Sequence, residues 1–507
     1  MGLILRRVPR FVQRAQPRWA QRLAEVEILS LGGIILPFPC LLLVGPRLAT
    51  SPGSGRQLLP PDARHHENGE RIEMKIGFIS MPLTGHLNPM IALARILQSR
   101  GHEIVFIGVP DVGPTVRAAG LNFVSWCEEE FPAGSCAVAL APVAKLHGTE
   151  ATRWTIAGAG RAFFQAASKQ LPRTIAETRI EALVLDTIHM YLEVVPMSLG
   201  IPYAHVWAIL NIDFSGATPP SVVPGPYEAT PAGRARNLEN LKKSDNAFFG
   251  LVQPLAEEYA ERAGLILDWS NPAATVSRQA AAILSQTPKE FDLPGIPWPS
   301  QFHYAGPFLD GAGREPIPFP WQRLDGRPLI YASLGTLVNG MTSIYRTILA
   351  AVGRMLETQV VLTKGNNLEL NDLGPIPPNV IVVDKAPQLE LLQRSVLCIT
   401  HAGLNTALES LAQGVPMMAI PISYDQPGVA TRIAHHGVGE FIEVDNLTID
   451  GLHELIQKIL HTPAYREKAQ YFRNVIAKRP GLEVAAQAIE HAFEQAIEKR
   501  PLELSRA

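Results

Sequence analysis

Between Cys398 and Gly428 the chain sets His401, Gly403, Asn405, Thr406, Glu409, Asp425 and Gln426 among apolar runs, an order of groups that suits a diphosphate carrying a sugar at each end. VLCIT has the pattern of a short buried strand, LNTALESLAQ that of a helix stopped by Gly414, and MMAIPI that of the next strand. His401 therefore stands on a strand-to-helix turn. The first N–H groups of a helix have no intrahelical partner and carry the positive end of its dipole, so they favour an anion. Gly403 lets the backbone come close to a phosphate, Asn405 and Thr406 add short donors, and His401 offers a ring N–H. Glu409, one turn beyond Asn405, would be repelled by a diphosphate and fits instead as an acceptor for hydroxyls such as a ribose pair. Asp425 and Gln426 follow the next strand and reach the same sheet edge, where they can read further hydroxyls. The plain alternative is a strand–turn–helix around a buried histidine, but the full order to Gln426 is far more specific than a glycine turn.

Two further sets of residues have chemical potential. In YASLGT, the residues Ser333, Gly335 and Thr336 follow an apolar run with hydroxyls and backbone donors suited to phosphate, or they form a simple turn. In MPLTGHLNPM, His86 falls in the expected loop before a helix, and the run ALVLD ends in Asp186. A near-neutral histidine can take a proton from an alcohol, and a carboxylate on its other nitrogen would fix the tautomer and stabilise the imidazolium. The competing reading has His86 as a helix cap and Asp186 as the start of the next helix. Trp154, Phe163, Phe164 and Trp207 either line an acceptor pocket or belong to the core.

These residues need strand ends to position them, and the chain supplies many. From Met74 it alternates strand and helix patterns: KIGFIS, a helix over Pro89 to Arg100 capped by Asn88 and ended by Gly101, EIVFIG, ALVLD and YAHVWA. After a Pro/Gly-rich stretch a second series appears: LIYASLG, QVVLTKG, NVIVVDKA, VLCITHA, MMAIPIS and EFIEV. This pattern predicts an α/β protein with two Rossmann-like, doubly wound parallel-sheet domains facing across a cleft. The expected organisation is a leader over 1–73, a first domain over 74–310, a linker over 311–328, a second domain over 329–482 and a C-terminal helix and tail over 483–507. The leader is arginine-rich and then apolar from Ile28 to Val44; it reads either as a signal anchor or as a disordered or misannotated extension.

The 507 residues suffice for several domains, and a net charge of −2 gives no global field pointing to nucleic acid. Cys40, Cys127, Cys136 and Cys398 lack metal or disulfide spacing, which fits a reducing cytosol. No Asp-x-Asp pair, P-loop, CxxC or HExxH occurs, so no metal site and no cofactor is expected. A leaving diphosphate must then be neutralised by helix ends and side chains.

Taken together, APQ at Ala386 to Gln388, THAGLNT from Thr400, Glu409, GVP at Gly414, Asp425-Gln426, the run DQPGVATRI and SLGT at Ser333 resemble the UDP-glycosyltransferases of family 1, which have the GT-B fold. The likeness is to the bacterial zeaxanthin glucosyltransferase and macrolide branch and covers about Met74 to Ala496. It implies that Ala386 meets the base through its main chain, that Gln388 and Glu409 hold the ribose, that His401, Asn405 and Thr406 hold the diphosphate, and that Asp425 and Gln426 grip the sugar. It makes His86, in a GHxxP-type loop, the catalytic base, with Asp186 as its acidic partner. The chain departs from many plant members at Lys385 and Leu404, where those have tryptophans. The implied reaction is inverting transfer of a hexose, such as glucose, from a UDP-sugar to a lipophilic acceptor such as a hydroxylated carotenoid. The alternatives are a polyketide, macrolide or phenolic acceptor, a sugar-nucleotide epimerase of the same fold, or a silent binding protein. The implied partners are the UDP-sugar and the acceptor, in the cytoplasm or peripherally at the inner face of the membrane.

Overall fold

The computed structural model describes residues 73–504 except 248, 270–278, 312–313 and 315. The leader lies outside the described residues, and with it the question of a signal anchor. Among the described residues no helix is long and apolar enough to cross a membrane.

The first sheet has seven parallel strands: β1 (Lys75–Ile79), β2 (Glu103–Gly108), β3 (Asn122–Ser125), β4 (Ala182–Asp186), β5 (Tyr203–Trp207), β6 (Ala282–Ser285) and β7 (Phe302–Tyr304). Their spatial order is β3-β2-β1-β4-β5-β6-β7. The second sheet has six, all parallel: β8 (Leu329–Ser333), β9 (Gln359–Thr363), β10 (Val380–Val383), β11 (Ser395–Thr400), β12 (Met417–Ala419) and β13 (Gly439–Phe441), in the order β10-β9-β8-β11-β12-β13. The two doubly wound sheets expected from the alternating pattern are therefore present.

Strands covered on both faces read as continuous apolar runs rather than alternating ones. All five residues of β4 and of β8 are buried. Along β8 the pleat divides them: Ile330 and Ala332 join one core, Leu329 and Tyr331 the core on the opposite face. In each sheet the strand order reverses beside the first strand, between β1 and β4 and between β8 and β11. Such a switch point opens a crevice beyond the carboxyl ends of the strands, where ligands bind in open α/β sheets.

Six helices carry or brace the candidate residues: α1 (Thr84–Ser99), α2 (Gly148–Thr155), α3 (Arg161–Thr178), α4 (Leu404–Gln413), α5 (Gln426–His435) and α6 (Gly481–Leu504). Helix α4 starts and stops where the pattern placed it, with Gly414 left-handed at φ +68°. Helix α1 does not: it begins at Thr84 rather than Pro89, so Asn88 is not its cap and His86 lies in its first turn. The reason is legible at Pro89. A proline inside a helix removes one N–H and frees the carbonyl four residues back, here that of Gly85, which accepts instead from Asn405 Nδ2 of the other domain at 2.5 Å.

The two halves interlock. Val143 and Ala151, from the first half, lie in the core of the second, and Trp154 of α2 packs against it. Gly148 bridges to Ser423 as an isolated parallel pair. Helix α6 returns to the first domain, where Ile489 and Phe493 join its core and Arg100 of the loop after α1 pairs with Glu483 and Glu490. Phe164 and Trp207 are core residues, whereas Phe163 of α3 is partly buried.

Candidate active site

At the first switch point β1 leads into α1 and β4 ends in Asp186, so the two neighbouring strands deliver His86 and Asp186 to one place. His86 Nδ1 lies 2.8 Å from Asp186 Oδ2. The Asp186 side chain is fully buried and that of His86 13% exposed, so only the imidazole has an open edge. Ser80, at the end of β1, donates its hydroxyl to Asp186 Oδ2 at 2.8 Å, and the Ile188 N–H reaches Oδ1 at 3.3 Å. Burial would raise the Asp186 pKa, but the His86 charge and hydrogen bond, with His189 and Ser80, hold it below the usual carboxylate value. An ionised Asp186 requires the proton on His86 Nδ1, which leaves Nε2 free to act as a base. Burial would lower the His86 pKa; the Asp186 charge and hydrogen bond, and more distantly Asp425, outweigh it and hold it above the ordinary 6.5.

Beside the pair stands His189, stacked on Phe163 with ring centroids 4.4 Å apart. Burial pushes its pKa down to about 4, so it adds no positive charge at neutral pH. Phe163 also meets Trp126 and, in a tilted contact, Phe131. Of the four aromatic residues singled out in the sequence, Phe163 reaches the neighbourhood of the dyad through this stack on His189.

At the second switch point Ser333 ends β8 and Thr400 ends β11, in register. The His401 ring lies between two bare backbones: a Cβ built on Gly335 or on Gly403 would fall 2.6 Å or 2.7 Å from its Cε1 and Nε2. Burial pushes the His401 pKa down to about 4, and its Nδ1 is buried without a protein partner. An unmet buried polar atom costs about 1–3 kcal/mol, which a ligand hydrogen bond can recover. Gly403 is also the cap of α4 and has no side chain with which to cap its first amides. Gly403→Ala is therefore expected to crowd the ring and to weaken binding of a nucleoside diphosphate, with UDP as the probe, by about 1–3 kcal/mol, measured by titration calorimetry; unchanged affinity would detach His401 from the expected phosphate site.

Backbone strain marks both flanks of this site. Ala402 and Tyr424 have φ of +64° and +57°, a region costly for residues other than glycine. They adjoin His401 and Asp425.

The remaining expected donor residues divide into those that face the crevice and those already engaged. Thr336 is exposed beside Gly335, and Ser333 Oγ accepts from the Gly335 N–H at 3.4 Å. Asn405 spends its amide on Gly85 across the cleft. Gln388 Nε2 reaches Glu409 Oε2 at 2.7 Å and Thr406 Oγ1 at 3.3 Å, so these three form one cluster. Glu409 is buried and its other oxygen accepts from Arg314. Gln426 is tied to its own loop, its Oε1 accepting from the Ile422 and Ser423 N–H groups at 2.8 and 2.9 Å. Asp425 Oδ2 accepts from the Leu210 N–H of the first domain at 2.8 Å; burial raises its pKa, partly countered by that bond and by His86. Ala386 is buried next to an open groove of about 550 Å³ lined in part by Ile317, Asn366, Val382 and Lys385. Sequence reasoning missed Ser80, His189 and Arg314. Ser80 alone had a signal, a hydroxyl directly after the KIGFI strand.

The two switch points thus face each other, joined at Asn405 and Gly85. Residues 346–491 match the family of the erythromycin biosynthesis protein CIII-like C-terminal domain. The chain is 26% identical over 366 residues to a zeaxanthin glucosyltransferase of Pantoea ananas, covering 71% of this chain and 83% of the relative. It is 28% identical over 437 residues to a demethyllactenocin mycarosyltransferase of Streptomyces fradiae, covering 82% and 86%. The solved structure of the glycotransferase of kitacinnamycin superposes with a TM-score of 0.64 at 22% identity, covering 84% of this chain and all of that one.

Proposed function

We propose, for a chain that belongs to the GT-B glycosyltransferases of family 1, the inverting transfer of a hexose, glucose in the first instance, from a UDP-sugar to a hydroxyl of a lipophilic acceptor. The observation that carries this reading is the His86–Asp186 pair at one switch point, with the start of α4 against it at the other.

In this reading UDP lies along the ends of β8, β10 and β11. The base sits in the groove beside Ala386 and Lys385, and the ribose sits at Gln388 and Glu409. Because Glu409 is already paired with Arg314 and Gln388, ribose hydroxyls share a carboxylate that has partners rather than meeting a bare one. The diphosphate meets the uncapped amides of α4, Thr406, the Ser333–Thr336 loop and a neutral His401. The sugar lies toward Asp425 and Gln426, between the two domains. The acceptor hydroxyl gives its proton to His86 Nε2 and attacks the anomeric carbon in line. The bond from that carbon to the β-phosphate oxygen breaks on the opposite face, and the leaving charge is stabilised by the α4 dipole. Asp186 stabilises the imidazolium that results.

A hydroxylated carotenoid is the preferred acceptor, on the likeness to the Pantoea ananas enzyme. A macrolide or other polyketide is the second reading, on the likeness to the mycarosyltransferase. No metal or cofactor takes part in this scheme, since helix amides supply the positive potential that a divalent ion would otherwise supply. The test is a panel of carotenoid diols, macrolides and phenols incubated with UDP-α-glucose in excess EDTA. A β-glucoside of a carotenoid diol, formed at an undiminished rate, is expected. Turnover lost to EDTA and restored by magnesium would overturn the metal-free scheme, and an α-linked product would overturn inversion.

A further inference from the structure

The run DQPGVATRIAHH contains more than two sugar-reading residues. On α5 and its flanks, Asp425, Gly428, Thr431, Arg432 and His436 recur at three- and four-residue intervals and form one stripe. Every member meets the first domain. Asp425 accepts from the Leu210 N–H, the Gly428 N–H donates to the Ser221 carbonyl at 2.9 Å, and Thr431 Oγ1 donates to the Gly225 carbonyl at 3.1 Å. Arg432 Nε and Nη2 donate to Asp292 Oδ1 at 3.0 and 2.6 Å, and His436 Nε2 lies 3.1 Å from the Phe291 carbonyl. The approach is close enough to demand a glycine: a Cβ on Gly428 would lie 2.7 Å from Leu210 Cδ2 and 2.8 Å from Ser221 Cα.

The centre of the stripe is a charge pair with 1% exposure on each side. Asp292 Oδ2 is satisfied as well, by Asn211 Nδ2 at 3.1 Å and Tyr304 OH at 2.8 Å. Desolvating two charges cancels much of their attraction, so such a pair is poorly explained by stability alone and better by the geometry it enforces. What it enforces is the seat of α5, two helical turns from Asp425. That carboxylate lies near enough to His86 for each to act on the other's charge.

We propose that Arg432 is a positioning residue whose buried pairing with Asp292 docks α5 on the first domain, and so holds Asp425 against Leu210, facing His86 across the cleft. The proposal rests on the glycosyl-transfer reading. It predicts that undoing the pair acts on turnover and not on the nucleotide, because UDP alone makes no use of Asp425.

The test is Arg432→Met, Arg432→Lys and Gly428→Ala, each assayed for kcat, for calorimetric affinity for UDP, and for radius of gyration by small-angle scattering. Arg432→Met should lower kcat on the order of 100-fold, the effect of a small misplacement, with UDP affinity within about threefold of the parent. Arg432→Lys keeps the charge but not the fork and should recover roughly tenfold of that loss. Gly428→Ala reaches the same docking from another side, by a methyl group. It should show the same split even if the arginine variant does not fold. Unchanged kcat in Arg432→Met or Gly428→Ala would overturn the proposal, as would kcat and UDP affinity falling together in proportion to the folded fraction. Scattering reads the docking without turnover: expansion of the variants supports it, and an unchanged radius contradicts it, even if the parent transferred no sugar and the functional reading itself failed.

Discussion

His86→Ala lowers kcat by about 10²- to 10⁴-fold, the usual worth of a positioned general base, while UDP binds the variant as tightly as it binds the parent. The separation follows from where the residue stands. His86 belongs to the first turn of α1, bonded to Asp186 of the same sheet, and the candidate phosphate groups belong to loops of the other sheet. Steady-state kinetics with saturating UDP-glucose and calorimetry with UDP check the two halves of the expectation. Transfer that persists unchanged in the alanine variant would remove His86 from the chemistry.

Asp186→Asn is expected to lower kcat by about 10²- to 10⁴-fold as well, because an amide no longer dictates the imidazole tautomer or stabilises its charged form. Its distinguishing mark is the pH profile. A base works only when neutral, so activity rises with pH through the His86 pKa, which the Asp186 charge and hydrogen bond raise above 6.5 against the pull of burial. Without that charge, burial prevails and the inflection moves to lower pH. The variant should thus be slower throughout and reach its plateau at a more acidic pH than the parent. A profile of kcat/KM against pH reads both effects, and an inflection that stays in place would assign the titration to another group.

How much of this was legible in the sequence depends on the kind of contact. Strands buried on both faces announce themselves as apolar runs, and EIVFIG and ALVLD fall on β2 and β4 residue for residue. Their ends then indicate where His86, Asp186 and His401 emerge. The start of α1 misled, because Asn88-Pro89 resembles a cap and first turn; the lost hydrogen bond is instead made up by Asn405, 320 residues away. No local pattern can carry that information. The same holds for Arg432 and Asp292, 140 residues apart, whose partnership exists only once the two domains meet. Arg314 lies in a stretch whose prolines and glycines read as connecting chain, and nothing in its neighbours signals a buried carboxylate as its partner. Glu409 itself was noticed for its place one turn beyond Asn405, but that its oxygens are shared with Gln388 and Arg314 could be learned only from the fold.

In the proposed reaction UDP departs with its β-phosphate at the start of α4 while His86, across the same crevice, frees the nucleophile. A crystal structure with a non-transferable donor, UDP-2-deoxy-2-fluoroglucose, tests it most directly. The β-phosphate is expected within hydrogen-bonding distance of the first α4 amides, with the anomeric carbon turned toward His86 Nε2. A diphosphate bound elsewhere, or an anomeric carbon directed away from His86, would contradict it.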